Sequence, residues 1–292
     1  MPVRAQHRVA AAALATAGLA ALGLGAPASA QAAEPLDYVA LGDSYSAGSG
    51  VLPLDPEASL LCARTSKNYP HLLAEATGAK LRDVTCGGAT TSHFTESQYP
   101  GVAPQFDALK SDTDLVTLTI GGNDNNTFIG AILACGSAGV LSLGQGSPCK
   151  DAWGDKFTDD IRNKTLPALQ KSLKTIRQKS PHAEVAILGY PWIMPKESVS
   201  GCYLKMPIAK GDVPYLRDLQ TELNSAVEKA AADNGATYVD LNTASEGHDA
   251  CAPADKRWIE PVLFGTNFVP VHPNAAGEAA MAAEVKKALG VR

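Results

Sequence analysis

The chain has 292 residues, 45% hydrophobic and 19% charged, which is too apolar for a disordered chain and ordinary for a folded one. Its 25 basic and 30 acidic residues leave a formal charge of −5 with no basic run, so a nucleic-acid partner is not expected. No segment repeats at a solenoid spacing, and the length fits one large domain or two small ones.

In chain order, Arg4 and Arg8 precede an uncharged run rich in Ala and Leu from Val9 to Leu24. Pro27 breaks the run, and Ala28-Ser29-Ala30 follows as a small-x-small site. That order is the order of a secretory signal. The run is shorter and richer in Ala than the ~20 strongly apolar residues of a membrane anchor, so no stable anchor is expected. Residues 1–30 are expected to be removed after Ala30, with Ala33 as the alternative, leaving residues 31–292 as a secreted domain.

Within that domain, strand-like and helix-like segments alternate. Leu36–Leu41 is a short apolar run ending at Gly42, as a buried parallel strand does. Asn68–Ala76 has helical spacing, and Leu81–Thr85 reads as a second strand ending at Cys86-Gly87-Gly88. Asp114–Ile120 is the clearest strand and stops at Gly121-Gly122. Asp159–Lys179 places Ile161, Leu166, Leu169, Leu173 and Ile176 on one helical face. Ala183–Leu188 and Ala236–Leu241 are the remaining strands, Pro214–Ala232 and Asn274–Leu289 the remaining helices. Alternation of this kind predicts an α/β fold: a single doubly wound domain whose central parallel sheet of about five strands carries helices on both faces. No linker divides it.

Six cysteines, Cys62, Cys86, Cys135, Cys149, Cys202 and Cys251, all fall in this domain. An even number in an exported chain reads as three disulfides. No pair has the spacing of a zinc knuckle, and no metal is expected. Of the possible connectivities, the sequential one (62–86, 135–149, 202–251) closes the shortest loops and is the expected pairing.

In an open parallel sheet, ligands bind beyond the carboxyl ends of the strands. The first strand runs into Gly42-Asp43-Ser44-Tyr45-Ser46, the second into Cys86-Gly87-Gly88-Ala89-Thr90 and the third into Gly121-Gly122-Asn123-Asp124-Asn125. A hydroxyl, backbone N–H groups freed by glycine and a carboxamide thus share one edge. Those are the parts of a serine nucleophile with an oxyanion hole. Ser46 is a second hydroxyl on the same turn. A base is still needed. His7 leaves with the signal, and His71, His182 and His248 lie in polar surface contexts. His93 is a competitor. His272 stands in V-P-V-H-P-N, where Pro273 excludes helical geometry and suits the first position of the helix that follows.

Gly42-Asp43-Ser44, the Gly88 loop, Gly121-Gly122-Asn123-Asp124 and His272-Pro273-Asn274 resemble, in order, the four blocks of the SGNH (GDSL) hydrolases. The G-D-S-Y-S-A-G start and the W-I-E-P…V-H-P-N ending are similar to those of secreted actinomycete lipases and esterases, and the likeness spans nearly the whole mature chain. The resemblance implies a flavodoxin-like sheet, Ser44 as nucleophile and His272 as general base. It also implies an oxyanion hole from the Ser44 N–H, the Gly88 N–H and the Asn123 carboxamide, with Gly87 the alternative to Gly88. Asp43 and Asp124 are expected to orient their loops by Asx-type hydrogen bonds. The G-x-S-x-G elbow of the α/β-hydrolases is absent, since Ser46 follows Tyr45.

One position departs from the family pattern. An aspartate is expected three residues before the histidine, and Val269 stands there. The resemblance implies a Ser–His dyad with a main-chain carbonyl in the aspartate's place, that of Val269 first and of Pro270 second. Glu260, Asp255 and Asp249 are the acids able to reach in from the preceding loop.

The implied reaction is ester hydrolysis through an acyl-enzyme, with no cofactor. Two apolar stretches favour a fatty-acyl or other acyl-ester substrate: Val51–Leu54 with Leu60-Leu61, and Phe128–Leu133. They read equally well as core, as do Trp192 and Trp258. A lipase or carboxylesterase is the leading expectation. A polysaccharide deacetylase of the same fold ranks second, since aromatic residues are only 6% and no sugar-binding module is attached. A binding protein without catalysis ranks third. A monomer is expected.

Overall fold

Each of the five expected strand segments contains a strand, and all pair in parallel in a computed structural model that describes residues 34–291. The expected signal segment lies outside the described residues. The strands are β1 (Asp37–Gly42), β2 (Lys80–Asp83), β3 (Leu115–Thr119), β4 (Glu184–Leu188) and β5 (Thr237–Val239). They form one sheet in the order β2-β1-β3-β4-β5. The helices are α1 (Ser44–Ala47), α2 (Tyr69–Thr77), α3 (Phe128–Leu141), α4 (Pro148–Trp153), α5 (Lys156–Asp160), α6 (Leu166–Lys179), α7 (Asp212–Asp233) and α8 (Ala275–Leu289).

The two-residue period of a strand divides β1 between two cores. Tyr38 and Ala40 pack into a core with α2 and α8, while Val39 and Leu41 pack into another with α6. Helix α7 contributes to both, through Leu216 and Leu223 on one side and Val227 and Ala231 on the other. The sheet is therefore covered on both faces, as its continuous apolar strands require. Its order reverses between β1 and β3, where Gly42 pairs with Thr119. Connections leave these two strands in opposite directions, which opens a crevice beyond their carboxyl ends.

Differences from the sequence expectations have local causes. β2 ends at Asp83 because that carboxylate takes both the N–H and the hydroxyl of Thr85, at 2.9 and 2.6 Å. β5 stops at Val239, where Asp240 accepts the Asn242 N–H at 2.8 Å and starts a turn. The helix expected over 159–179 is split by a wide turn at Ile161–Thr165. Pro167 lacks an N–H, and its ring opposes the carbonyl four residues back, so a continuous α-helix there is disfavoured. The last helix opens on Asn274, not Pro273: Asn274 Oδ1 accepts the N–H groups of Ala276 and Gly277 at 3.0 Å each.

Disulfides join Cys62 to Cys86, Cys135 to Cys149 and Cys202 to Cys251, across 24, 14 and 49 residues. Loop-closure entropy ranks what each contributes: ~4 kcal/mol for Cys202–Cys251 and ~3 kcal/mol for each of the others. Paired Cys→Ala variants unfolded in denaturant should lose stability in that order. Equal or reversed losses would contradict the ranking.

Candidate active site

β1 delivers its last residue into a turn that only glycine fits. Gly42 has φ +125°, and a Cβ there would lie 2.4 Å from the Thr119 carbonyl. Asp43 follows as the cap of α1, its Oδ1 accepting the Tyr45 N–H at 2.9 Å, and Ser44 becomes the first helical residue. Asp43 Oδ2 accepts the Tyr190 hydroxyl proton at 2.5 Å, and the same Tyr190 oxygen accepts the Gly122 N–H at 2.9 Å. One phenol thus ties the turn after β1 to the turn after β3. Burial pushes the Asp43 carboxyl up to about 7, against the opposing pull of the bonds from Tyr190 and Tyr45.

His272 arrives from the far end of the chain. Trp258–Pro261 lies antiparallel to Val271–Asn274: the Glu260 N–H donates to the His272 carbonyl at 2.9 Å, and the Val271 N–H to the Glu260 carbonyl at 2.8 Å. Val271 itself has φ +64°, a left-handed conformation that a β-branched residue rarely adopts. The Tyr45 hydroxyl fixes it by donating to the Val271 carbonyl at 2.7 Å. The outcome is that His272 Nε2 lies 2.7 Å from Ser44 Oγ, across 228 residues of sequence.

The other ring nitrogen decides the tautomer. His272 Nδ1 lies 2.8 Å from the carbonyl oxygen of Pro270, which only accepts, so Nδ1 carries the proton and Nε2 receives one from Ser44. This corrects the expectation that Val269 supplies the carbonyl. The positive φ of Val271 folds the chain back by two residues, bringing Pro270 under the ring, and Val269 turns into the cleft as a lining residue. Burial lowers the His272 pKa, opposed by the hydrogen bond to Pro270.

None of the candidate acids reaches Nδ1. Glu260 is buried and takes Arg257 at 2.7 Å, the Thr266 N–H at 2.7 Å and Asn274 Nδ2 at 3.0 Å. Burial raises its pKa, but the bonds from Asn274, Thr266 and Arg257 prevail and hold it below the usual value. Asp249 accepts the Cys251 N–H at 2.9 Å, and Asp255 is exposed. His93 is also elsewhere, its Nδ1 accepting the Thr90 N–H at 3.0 Å. Ser46 is fully buried, its hydroxyl accepting the Thr119 N–H at 2.8 Å, which makes it part of the scaffold.

Three residues that carry donors, Ser44, Gly88 and Asn123, line the same cleft. The Ser44 N–H is an orphan donor of a helix start and makes no internal bond among the described residues. The loop after β2 separates Gly87 from Gly88: the Gly87 N–H is spent on the Cys62 carbonyl at 2.8 Å, while Gly88, at φ +76°, leaves its N–H without an internal partner among the described residues. Asn123 uses one amide hydrogen on the Ala89 carbonyl at 3.0 Å, and its second has no internal acceptor among the described residues. Asp124 braces the pair of loops with long-range bonds where a local Asx turn was expected. It accepts the N–H and the hydroxyl of Thr91 at 2.9 and 2.6 Å.

The cleft has a volume of about 300 Å³, at the small end of ligand pockets. Leu61, Phe128, Ile129, Ile132, Ile193 and Val269 form its apolar wall. Of the two apolar stretches, the second contributes through α3 and the first only through Leu61. Trp192 and Trp258 lie outside it: Trp192 carries the Arg217 guanidinium at 3.4 Å, and Trp258 stacks on His248 at 4.3 Å.

Residues 40–280 match the model of the GDSL-like lipase/acylhydrolase family. The chain belongs to this family. It is an ester hydrolase of the lipase and esterase group. It is 60% identical to Lipase 2 of Streptomyces coelicolor over the whole of both chains. Among solved structures, phospholipase A1 of Streptomyces albidoflavus NA297 superposes with a TM-score of 0.71 at 30% identity, over 86% of this chain and 98% of that one. The extracellular lipase of Streptomyces rimosus gives the same TM-score, 0.71, and identity, 30%, over 87% and 99%.

In this GDSL-family chain Glu260 holds the histidine loop without touching the ring. Its side chain and that of Arg257 are only 1% and 4% exposed, so Glu260→Gln leaves a buried guanidinium short of its partner. The expected loss is ~3–5 kcal/mol in denaturant unfolding. Exposed Asp255→Asn should stay within ~0.5 kcal/mol of the parent. A Glu260→Gln protein as stable as the parent would contradict this placement.

Proposed function

We propose that the mature domain, residues 31–292 after removal of a signal over residues 1–30, is a secreted lipase or carboxylesterase that cleaves fatty-acyl esters through an acyl-enzyme on Ser44. The observation that carries the reading is the 2.7 Å contact of Ser44 Oγ with a His272 whose Nδ1 is held by a carbonyl. Ser44 Oγ attacks the ester carbonyl carbon as its proton passes to His272 Nε2. The negative oxygen that forms is met by the N–H groups of Ser44 and Gly88 and the carboxamide of Asn123. His272 then returns the proton to the departing alcohol, leaving the acyl group on Ser44. Water then attacks the acyl carbon as its proton passes to His272, and His272 returns that proton to Ser44 Oγ as the acid departs.

The acyl group is assigned to the apolar wall around Phe128, Ile129 and Ile132, which begins directly after Asn123. A narrow apolar cleft suits one hydrocarbon chain better than a sugar ring, which asks for polar partners and aromatic platforms. Secretion is supported by three disulfides, bonds that persist in oxidising compartments, and by the extracellular lipase among the relatives. Among the described residues no helix is long and apolar enough to cross a membrane.

Turnover of nitrophenyl esters of graded acyl length tests the proposal. The rate should rise from acetyl towards longer chains, and a fluorophosphonate should label Ser44 alone. Ser44→Ala should lose adduct and turnover together, and Asn123→Ala should lower kcat by ~10²–10³. Activity confined to acetyl esters would favour the deacetylase, and full activity in Ser44→Ala would remove the proposed nucleophile.

A further inference from the structure

The acyl-binding wall does not end at the mouth of the cleft. Helix α3 starts with Phe128, Ile129 and Ile132 inside it and then carries apolar side chains out into solvent. Leu133 is 65% exposed, Val140 53% and Leu141 86%, and Leu143 just beyond the helix is 78% exposed. Ile129, Leu133, Ser137 and Leu141 follow each other at a spacing of four, and Val140 lies three beyond Ser137, so they lie on one stripe. The opposite side of the same helix is the buried one, through Ala131, Cys135 and Gly139. The backbone of Pro207 approaches Gly139 so closely that a Cβ there would lie 2.1 Å from its carbonyl. Beyond Ile132 the helix is thus fixed by small residues and presents Leu133, Val140 and Leu141 to water. That inverts the usual pattern of a surface helix.

Two further features mark this stripe. No charged residue occurs between Asp124 and Lys150, in a chain that is 19% charged. Leu143 is held at φ +51°, a conformation that a leucine rarely adopts, with its side chain in solvent. Across the cleft the rim is apolar as well: Leu61, which lines it, is 59% exposed, and Phe268, beside the lining residue Val269, is 55% exposed.

We propose that the α3 stripe, with the rim residues Leu61 and Phe268, is the surface by which this protein seats itself on an uncharged lipid surface, with the cleft facing the lipid. The proposal rests on the fatty-acyl reading of the cleft and adds to it the physical state in which substrate is met. An apolar surface continuous with an acyl-binding wall lets a chain slide from the lipid into the cleft without crossing water. A second copy of the chain is the less suitable occupant, because covering a stripe that begins inside the cleft would close the cleft to substrate. The lack of charge on the stripe, on a protein of net charge −5, selects neutral or zwitterionic lipid over an anionic surface held by lysines and arginines.

The test uses Ser44→Ala protein, so that binding is read without hydrolysis, with vesicles of phosphatidylcholine alone and of phosphatidylcholine with phosphatidylglycerol. The protein should float with phosphatidylcholine alone at low and at high salt, and no better with the anionic mixture. Leu133→Ser with Leu141→Ser should weaken that partition by at least ~10-fold. Leu143→Ser, outside the helix, repeats the comparison without touching α3. In protein with Ser44 intact, the same substitutions should leave turnover of a soluble acetyl ester unchanged and reduce hydrolysis of an emulsified long-chain ester. Three results would overturn the proposal: no flotation with phosphatidylcholine, flotation unaffected by the substitutions, or binding only to anionic vesicles that salt abolishes. Dimers in sedimentation that the substitutions dissolve would assign the stripe to a second copy and overturn it equally. Failure of soluble-ester turnover in the unsubstituted protein would instead count against the hydrolase reading, and flotation would still report on the surface.

Discussion

The hydrogen bond between Ser44 and His272 joins two loops 228 residues apart, and the surrounding structure is arranged to make it. A neutral hydrogen bond contributes only ~1 kcal/mol net, while a β-branched residue at positive φ costs ~1–3 kcal/mol. The contact therefore cannot hold Val271 in its conformation, and the surroundings must. They do so through the ladder between Trp258–Pro261 and Val271–Asn274, the Tyr45 hydroxyl on the Val271 carbonyl, and the Asn274 cap that starts α8. Asn274 also donates to Glu260 and to the Arg257 carbonyl, so the helix start and the histidine loop are one hydrogen-bonded unit. Gly277 lets α8 come this close, since a Cβ there would lie 2.7 Å from the Trp258 carbonyl.

On the other side of the cleft, the proposed oxyanion donors come from three separate strand ends, and each is locked to a neighbour. Tyr190 couples the Asp43 turn to Gly122, Asn123 reaches Ala89, and Asp124 reaches Thr91. Such bracing fixes donors before charge develops, which is the condition for electrostatic stabilisation at little reorganisation cost. It matters more here because His272, the proposed base, has no anionic partner among the described residues. A carbonyl dipole orients His272 but stabilises its cation less than a carboxylate does, and burial holds its pKa down.

Much of this was legible in the sequence because it depends on local chemistry. Short apolar runs ended by glycine mark buried parallel strands, and strand ends mark where a ligand site lies, while the roles of Ser44, Gly88, Asn123 and His272 are what the resemblance to the family implies. What escaped depends on tertiary context. The choice of Pro270 over Val269 hangs on one backbone dihedral at Val271, which no residue type encodes. Gly88 was the expected donor, and what sequence does not show is the reason the alternative, Gly87, is spent: its N–H meets the carbonyl of Cys62, brought near by a disulfide. Helix α3 was read only as an apolar stretch, because its large residues face both the cleft and the solvent and blur the helical period. Pro167 was a signal in plain view, and the helix expectation ran through it.

The central claim is that a backbone carbonyl alone sets the tautomer of the histidine facing Ser44. Nitrogen-15 NMR of protein labelled in histidine tests this most directly, with His272 assigned by its absence in His272→Gln. Near neutral pH the Nδ1 of His272 should be protonated and Nε2 bare, and the ring should stay neutral on acidification to below the ordinary histidine value of about 6.5. A proton found on Nε2 in the neutral ring, or a ring already cationic at or above that value, would contradict the account.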